Sequence, residues 1–226
     1  AERLTAEIED YVRFIRPTDA DREMREGVIA IHREAVVSLG SDLSLNVFGS
    51  YASGLYLPGA DLDFVILESS EPLNLSKTCI IRRLEKLTRG MCRLASALTV
   101  IKAARIPIIK LTVRRSQLKL DISYQQPGGL RAAEYVREMC ASIPALGPLC
   151  LVLKLFLRNR NLNDYSCQGI GGFALVCWLA AFMKLHPVVF PDRYSDGRKE
   201  ASLGALLIDF FDFFGSQFDY HRFGLS

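Results

Sequence analysis

The stretch whose reading decides the fold is GSYASGLYLPGADLDFV, residues 49–65. Asp61 and Asp63 stand one residue apart in a run that continues through Phe64, Val65, Ile66 and Leu67. Side chains alternate between the faces of a strand. A strand over 61–67 therefore puts both aspartates on one face and Leu62 and Phe64 on the other. Two carboxylates held side by side repel and lose solvation, at a cost of roughly several kcal/mol unless something compensates. Water on a bare surface is one remedy and a bound cation is the other, and the surrounding sequence favours the second.

A further β-rich run, LKLDISY (118–124), carries another acid. Its alternation sets Leu118, Leu120 and Ile122 on one face and Lys119, Asp121 and Ser123 on the other. With IPIIKLTVR (106–114) and the short RSQ between them, it reads as a hairpin. Placed beside 61–67 in one sheet, it would bring Asp61, Asp63 and Asp121 together. Three fixed anions serve stability poorly. They suit one or two Mg²⁺ ions, which favour a few carboxylates completed by substrate phosphates.

Upstream, Gly49-Ser50 follows the apolar strand 43–48 and opens a short helix toward Leu55. Backbone N–H groups at such a start, with the Ser50 hydroxyl, make a phosphate cradle. Downstream, LVLKLFLRNRNLN places Lys154 and Arg158 four residues apart on a helix that is apolar around most of its circumference. A buried cation needs an anionic partner. Nucleotide phosphates supply one, and structural acids or the surface are the plainer alternatives.

The 226 residues suffice for one large or two small domains. The net charge of +3 carries no argument, but its distribution does. Residues 36–125 hold twelve basic and seven acidic side chains, with every cation between Lys77 and Lys119 and only Glu85 opposing them there. That segment is the candidate polyanion-facing surface. The six cysteines show no paired spacing and read as small core residues in a reducing compartment, with neither disulfide nor zinc. No signal-peptide run opens the chain, and the apolar runs at 146–157 and 170–183 read as too short for a bilayer, so a soluble intracellular protein without a membrane partner is expected.

Helical patterning covers 3–15, 20–39, 76–97, 130–142, 146–160, 170–185 and 202–214. The fold class is α+β, a compact mixed unit at 36–125 followed by a helical one. None of His32, His186 and His221 has metal-ligand spacing, so surface or capping positions are expected for them. Asp209 and Asp212 are expected on a helix polar face.

Taken in order, FGSYASGLYLPGADLDFVIL, PIIKLTV, LKLDISY, GLRAAEYV, LVLKLFLRNRNLND, GIGGFALVCWLAAFMKLHP and SLGALLIDFFDFFGSQFDY resemble the non-canonical poly(A) polymerases of the DNA polymerase β-like nucleotidyltransferase superfamily. The likeness is greatest to the nuclear branch that tags RNA for exosome surveillance. The resemblance implies a nucleotidyltransferase catalytic domain at 36–125, a mixed sheet with helices on one face. It implies a helical central domain built from 1–35 and 126–226, with the active site in the cleft between the two. It implies untemplated transfer of AMP from ATP to an RNA 3′ end with two Mg²⁺ (or Mn²⁺) ions, uridylyl transfer from UTP being the nearest alternative and a catalytically weakened RNA-binding scaffold the remote one. Carried over, Asp61 and Asp63 match ligands of both metals, Asp121 the third carboxylate, Gly49 and Ser50 the phosphate-binding turn, and Lys154 and Arg158 the basic pair on the triphosphate. Gly171-Gly172-Phe173 stands where the family usually has Ser-Ser-Tyr. Gly172 and Phe173 keep the phosphate-side and base-stacking positions, without the hydroxyls. Gln126 stands near the family's sugar-contacting asparagine, and relatives place their base-recognition loop beyond Ser226. A zinc-knuckle RNA-binding partner and a nuclear location complete what the resemblance implies.

Overall fold

A computed structural model describes residues 1–163, 169–194, 201–219 and 221–222. In chain order the first elements are α1 (Glu2–Phe14), α2 (Asp19–Leu39), β1 (Leu43–Phe48), α3 (Gly49–Ala52), β2 (Leu62–Glu68), α4 (Lys77–Met91) and β3 (Ala95–Ile101). They are followed by β4 (Ile108–Val113), β5 (Lys119–Tyr124), α5 (Gly128–Ser142), α6 (Leu146–Asn159), α7 (Gly172–Val189) and α8 (Leu203–Asp212). A 3₁₀ turn at Pro191–Tyr194 follows α7, and a π turn at Phe213–Gln217 follows α8. The chain divides into two compact units, 17–135 and 1–16 with 136–226.

The first unit is a five-stranded mixed sheet of order β1-β2-β5-β4-β3, in which only β2 and β5 run parallel. The central parallel pair is apolar where it meets the core: Leu62, Phe64 and Ile66 on β2 and Leu120, Ile122 and Tyr124 on β5 are all buried. The same core takes Val28, Ile29 and Val36 from α2 and Ile80, Leu84, Leu87 and Met91 from α4. Truncating a residue buried like Leu84 to alanine removes about 2–5 kcal/mol. Both helices start on side-chain caps, Thr18 accepting from the Asp21 amide at 3.1 Å and Ser76 from that of Cys79 at 3.3 Å.

Two boundaries depart from the sequence reading. The division falls at 16/17 and within α5 at 135/136, whereas the sequence reading drew it at 35/36 and 125/126. The reason is α2, whose apolar stripe is spent under the sheet. The helix expected over 76–97 ends at Met91, and β3 begins at Ala95. Leu94 continues the helical spacing, but β3 is an edge strand with Ser96, Ala97 and Thr99 exposed, so it shows no alternation strong enough to announce itself. The β4–β5 hairpin forms as expected, closed by the Val113 amide on the Leu118 carbonyl at 2.8 Å, with Gln117 at φ 56°.

The second unit is helical. Gly204 lets α8 sit against α1, because a Cβ there would strike the Ala1 carbonyl, and its amide donates to Thr5 Oγ1 at 2.9 Å. Trp178, Phe182, Phe210 and Phe214 form an aromatic core with ring centroids 4.7–6.0 Å apart. The run around 170–183 lengthens into an 18-residue α7 of mean hydropathy 1.6, long and apolar enough to cross a membrane. This amends the expectation of a run too short for that. Six of its residues, from Leu175 to His186, are buried within the unit.

His186 is fully buried, and its Nε2 lies 3.0 Å from Asp209 Oδ2. Asp209 is also gripped by Arg193 through Nε at 2.9 Å and Nη2 at 2.6 Å. His32 is buried as well, its Nδ1 donating to the Val28 carbonyl at 2.8 Å. Surface or capping positions for His32 and His186, and a polar-face position for Asp209, are therefore corrected, while Asp212 and His221 are exposed. Among the cysteines Cys150 is buried but Cys92 is exposed, against a core reading for both, and Cys167 lies outside the described residues.

Candidate active site

β2 and β5 pair in parallel with Asp63 opposite Asp121. The register keeps both acids on the sheet face away from Leu62, Phe64, Leu120 and Ile122, and hence away from α2 and α4. Asp61 immediately precedes β2, and its charge raises the proton affinity of Asp121. Burial is the larger cause of that rise, with Lys110 opposing it. Lys110 faces Asp121 across the β4–β5 register and brings Nζ to 3.7 Å from Oδ2. The sequence reading missed this lysine, because only the register reveals which cation a strand acid meets.

The Gly49-Ser50 turn reaches the same acids. Phe48 pairs with Asp63, so the chain leaves β1 directly beside that carboxylate. Gly49 has φ +70°, and any Cβ there would overlap the Asp63 carboxyl group. Glycine is thus required twice, for the left-handed backbone and for the close approach. The turn is closed by the Ser53 amide on the Gly49 carbonyl at 3.1 Å and the Leu55 amide on the Ser50 carbonyl at 3.0 Å.

The other predicted residues lie in the helical unit. Lys154 on α6 is half-buried, and its Cε and Nζ are the nearest atoms to a Cβ built on Gly172, at 3.8 Å. Arg158, one turn on, is exposed, and its charge acts on Tyr11. Phe173 is half exposed at the start of α7. The structure thus gathers Asp63, Asp121 and Gly49 in one place and Lys154 and Gly172 in another. Two concavities of about 340 and 460 Å³ lie along α4 in the sheet unit, and none of the three acids lines either.

The donors suit a hard divalent cation, being carboxylate oxygens paired in register. Among the described residues no three of His, Cys, Asp or Glu gather tightly enough to cage a metal unaided. A pair of carboxylates is a donor set that Mg²⁺ completes with water and phosphate oxygens.

The chain matches the family model of the poly(A) RNA polymerase, mitochondrial-like, central palm domain over residues 4–138. It belongs to that family. A second model, for the Cid1 family poly A polymerases, matches residues 202–226. Among curated relatives, poly(A) RNA polymerase protein 1 of Saccharomyces cerevisiae is 38% identical over 226 residues, covering 100% of this chain and 34% of the yeast protein. Its counterpart in Eremothecium gossypii is 37% identical over the same length, covering 100% of this chain and 35% of the relative. The chain therefore spans about a third of the length of the curated relatives it matches. Among solved structures, the polymerase core of TRAMP, an RNA surveillance complex, superposes with a TM-score of 0.81 at 36% identity, covering 96% of this chain and 65% of that one. The fold is accordingly the nucleotidyltransferase palm, a mixed sheet with helices, as the resemblance implied.

Proposed function

We propose that the protein is a template-independent RNA 3′-end nucleotidyltransferase that adds AMP from ATP. The observation carrying this reading is the register of β2 on β5, which sets Asp63 opposite Asp121 with Gly49 packed on the Asp63 carboxylate. Asp61, Asp63 and Asp121 would hold Mg²⁺ or Mn²⁺, which when bound neutralises triphosphate charge and lowers the pKa of an attacking hydroxyl. Gly49 and Ser50 cradle the triphosphate through the turn's amides and the Ser50 hydroxyl. Asp121, whose affinity for a proton is raised by burial and by Asp61, takes the proton of the RNA 3′ hydroxyl. That oxygen bonds to the α-phosphorus, the α–β bridging bond breaks, and pyrophosphate leaves. Lys154 and Arg158 bind phosphate oxygens, Gly172 lies beside Lys154, and Phe173 stacks on the base.

The RNA follows the exposed face of α4 in this reading. Arg82, Lys86 and Arg89 lie there at helical spacing and form no ion pair among the described residues. The local acids are already engaged, Glu85 by Lys102 at 2.5 Å and Glu71 by Arg83. Phosphate contacts of this kind confer affinity without sequence choice. The likeness to the polymerase core of TRAMP, an RNA surveillance complex, supports a role in RNA surveillance; a nuclear location and a zinc-knuckle RNA-binding partner protein rest on the family resemblance alone.

Primer extension on short RNA with the full-length protein and each nucleotide separately tests the proposal. Extension by ATP with Mg²⁺ or Mn²⁺ is expected. Extension by UTP alone would replace the adenylyl reading with a uridylyl one, and no extension by any nucleotide would leave an RNA-binding scaffold.

A further inference from the structure

The turn that carries Gly49 and Ser50 is only four residues long and has no side-chain cap of its own. What holds it comes from α2. Arg25 is 1% exposed, an unusual burial for a guanidinium. Its Nε donates to Asp21 at 3.0 and 3.2 Å, and its Cζ lies 4.7 Å from the centroid of Tyr56 and 5.8 Å from that of Tyr51. The two rings are themselves 5.2 Å apart. Each tyrosine hydroxyl returns to α2, Tyr56 donating to Asp21 Oδ2 at 3.1 Å and Tyr51 to Glu26 Oε1 at 2.5 Å. Tyr51 directly follows Ser50 inside the turn.

This arrangement is expensive as a mere stabiliser. Arg25 Nη1 finds no hydrogen-bond partner among the described residues, and a buried cation with an idle donor is less favourable than an apolar side chain of similar volume. A buried polar group of this kind can fix geometry at a cost in stability. Burial, and then the bond to Asp21, push the Tyr56 hydroxyl up to about 12, so it stays a donor throughout the working pH range. Both ends of the turn are thereby fixed. Tyr51 ties its helical side to α2, while Gly49 rests on the Asp63 carboxylate.

We infer that Arg25, with Tyr51 and Tyr56, is a positioning clamp that sets the Gly49-Ser50 turn against Asp63 for the nucleotide triphosphate. Its catalytic half rests on the function proposed above. Arg25 touches no reacting group. It acts through the tyrosines on the backbone amides that face the phosphates, and small misplacements of such donors are costly.

The test compares Arg25→Met, Arg25→Lys and Tyr51→Phe with the parent in the full-length protein. Tyr51→Phe deletes only the hydroxyl bond to Glu26 and keeps the ring, so it serves where Arg25→Met folds poorly. The Michaelis constant for nucleotide is expected to rise about 5–10-fold in Arg25→Met and Tyr51→Phe, with that for RNA within about twofold of the parent and Arg25→Lys falling between. Amide exchange at Ser53 and Leu55, which close the turn, is expected to quicken about tenfold while α4 amides keep their rates. Quicker exchange with an unchanged nucleotide constant would overturn the assignment to nucleotide positioning. Unchanged exchange in both variants would overturn the clamp itself. Exchange is read without turnover, so a parent that fails to extend RNA would count against the proposed function and leave the clamp to be judged on its own.

Discussion

Asp121 and Asp209 are both acids in the interior of a fold, one in the sheet unit and one in the helical unit, and they are treated in opposite ways. Asp209 is 2% exposed, and burial alone would raise its pKa. The hydrogen bonds from Arg193 and His186 more than cancel that, and its carboxyl ends below the ordinary value. Asp121 is less deeply buried, yet its pKa ends above the ordinary value, because Lys110 at 3.7 Å compensates only part of the cost of burial and Asp61 adds to it. A structural acid is neutralised by its own fold. Asp121 instead stays under-compensated opposite Asp63, with the charge of Asp61 acting on it.

The largest effect that would sharpen this contrast is catalytic. Asp63→Ala and Asp121→Ala are expected to lower nucleotide transfer by about 10³-fold or more in primer extension, while circular dichroism stays native. Transfer within tenfold of the parent would return both acids to a structural role. Asp209→Ala should act on stability instead. It leaves His186 and Arg193 without their acceptor, at about 2–4 kcal/mol in urea unfolding, below the full cost of an opened buried pair because Arg193 is partly exposed.

Smaller effects follow from protonation. Asp209 has a depressed pKa, so it adds stability above the ordinary carboxylate value of 3.8 and loses it as pH falls below that. Asp121 has the reverse sign: the folded state holds its proton more tightly, so stability is forfeited as pH rises through its raised value. In metal-free buffer near neutrality Asp121→Asn should therefore melt above the parent while transferring no nucleotide. A lower melting point would mean that Lys110 already balances the charge. His32 extends the comparison to a buried base. Burial lowers its pKa below 6.5, so stability should decline as pH falls from about 6.5 toward its folded value. His32→Leu should flatten that decline in thermal melts between about pH 5 and 7, and an undiminished slope would place its origin elsewhere.

The acids were legible in the sequence because alternation along a strand is a local property. Asp61-Leu62-Asp63-Phe64 and Leu120-Asp121-Ile122 assign faces without knowledge of the neighbours. What local pattern cannot supply is register, so the pairing of Asp63 with Asp121 was a condition in the sequence and a finding in the structure. Lys110 was hidden for the same reason. α2 was assigned to the wrong unit because an amphipathic stripe tells that a helix packs and not against what. His32, His186 and Asp209 were placed too near the surface, since polarity predicts exposure only until a partner removes its cost. The strand β3 escaped because an edge strand with a mostly wet surface leaves almost no periodic trace.

The account turns on Asp63 and Asp121 holding a divalent ion together with a nucleotide. Thermal unfolding of the full-length protein with and without Mg²⁺ and ATP measures this directly, in the parent and in Asp121→Asn. The melting point of the parent should rise with the pair of ligands and that of Asp121→Asn should not. Equal rises in the two proteins would contradict the assignment.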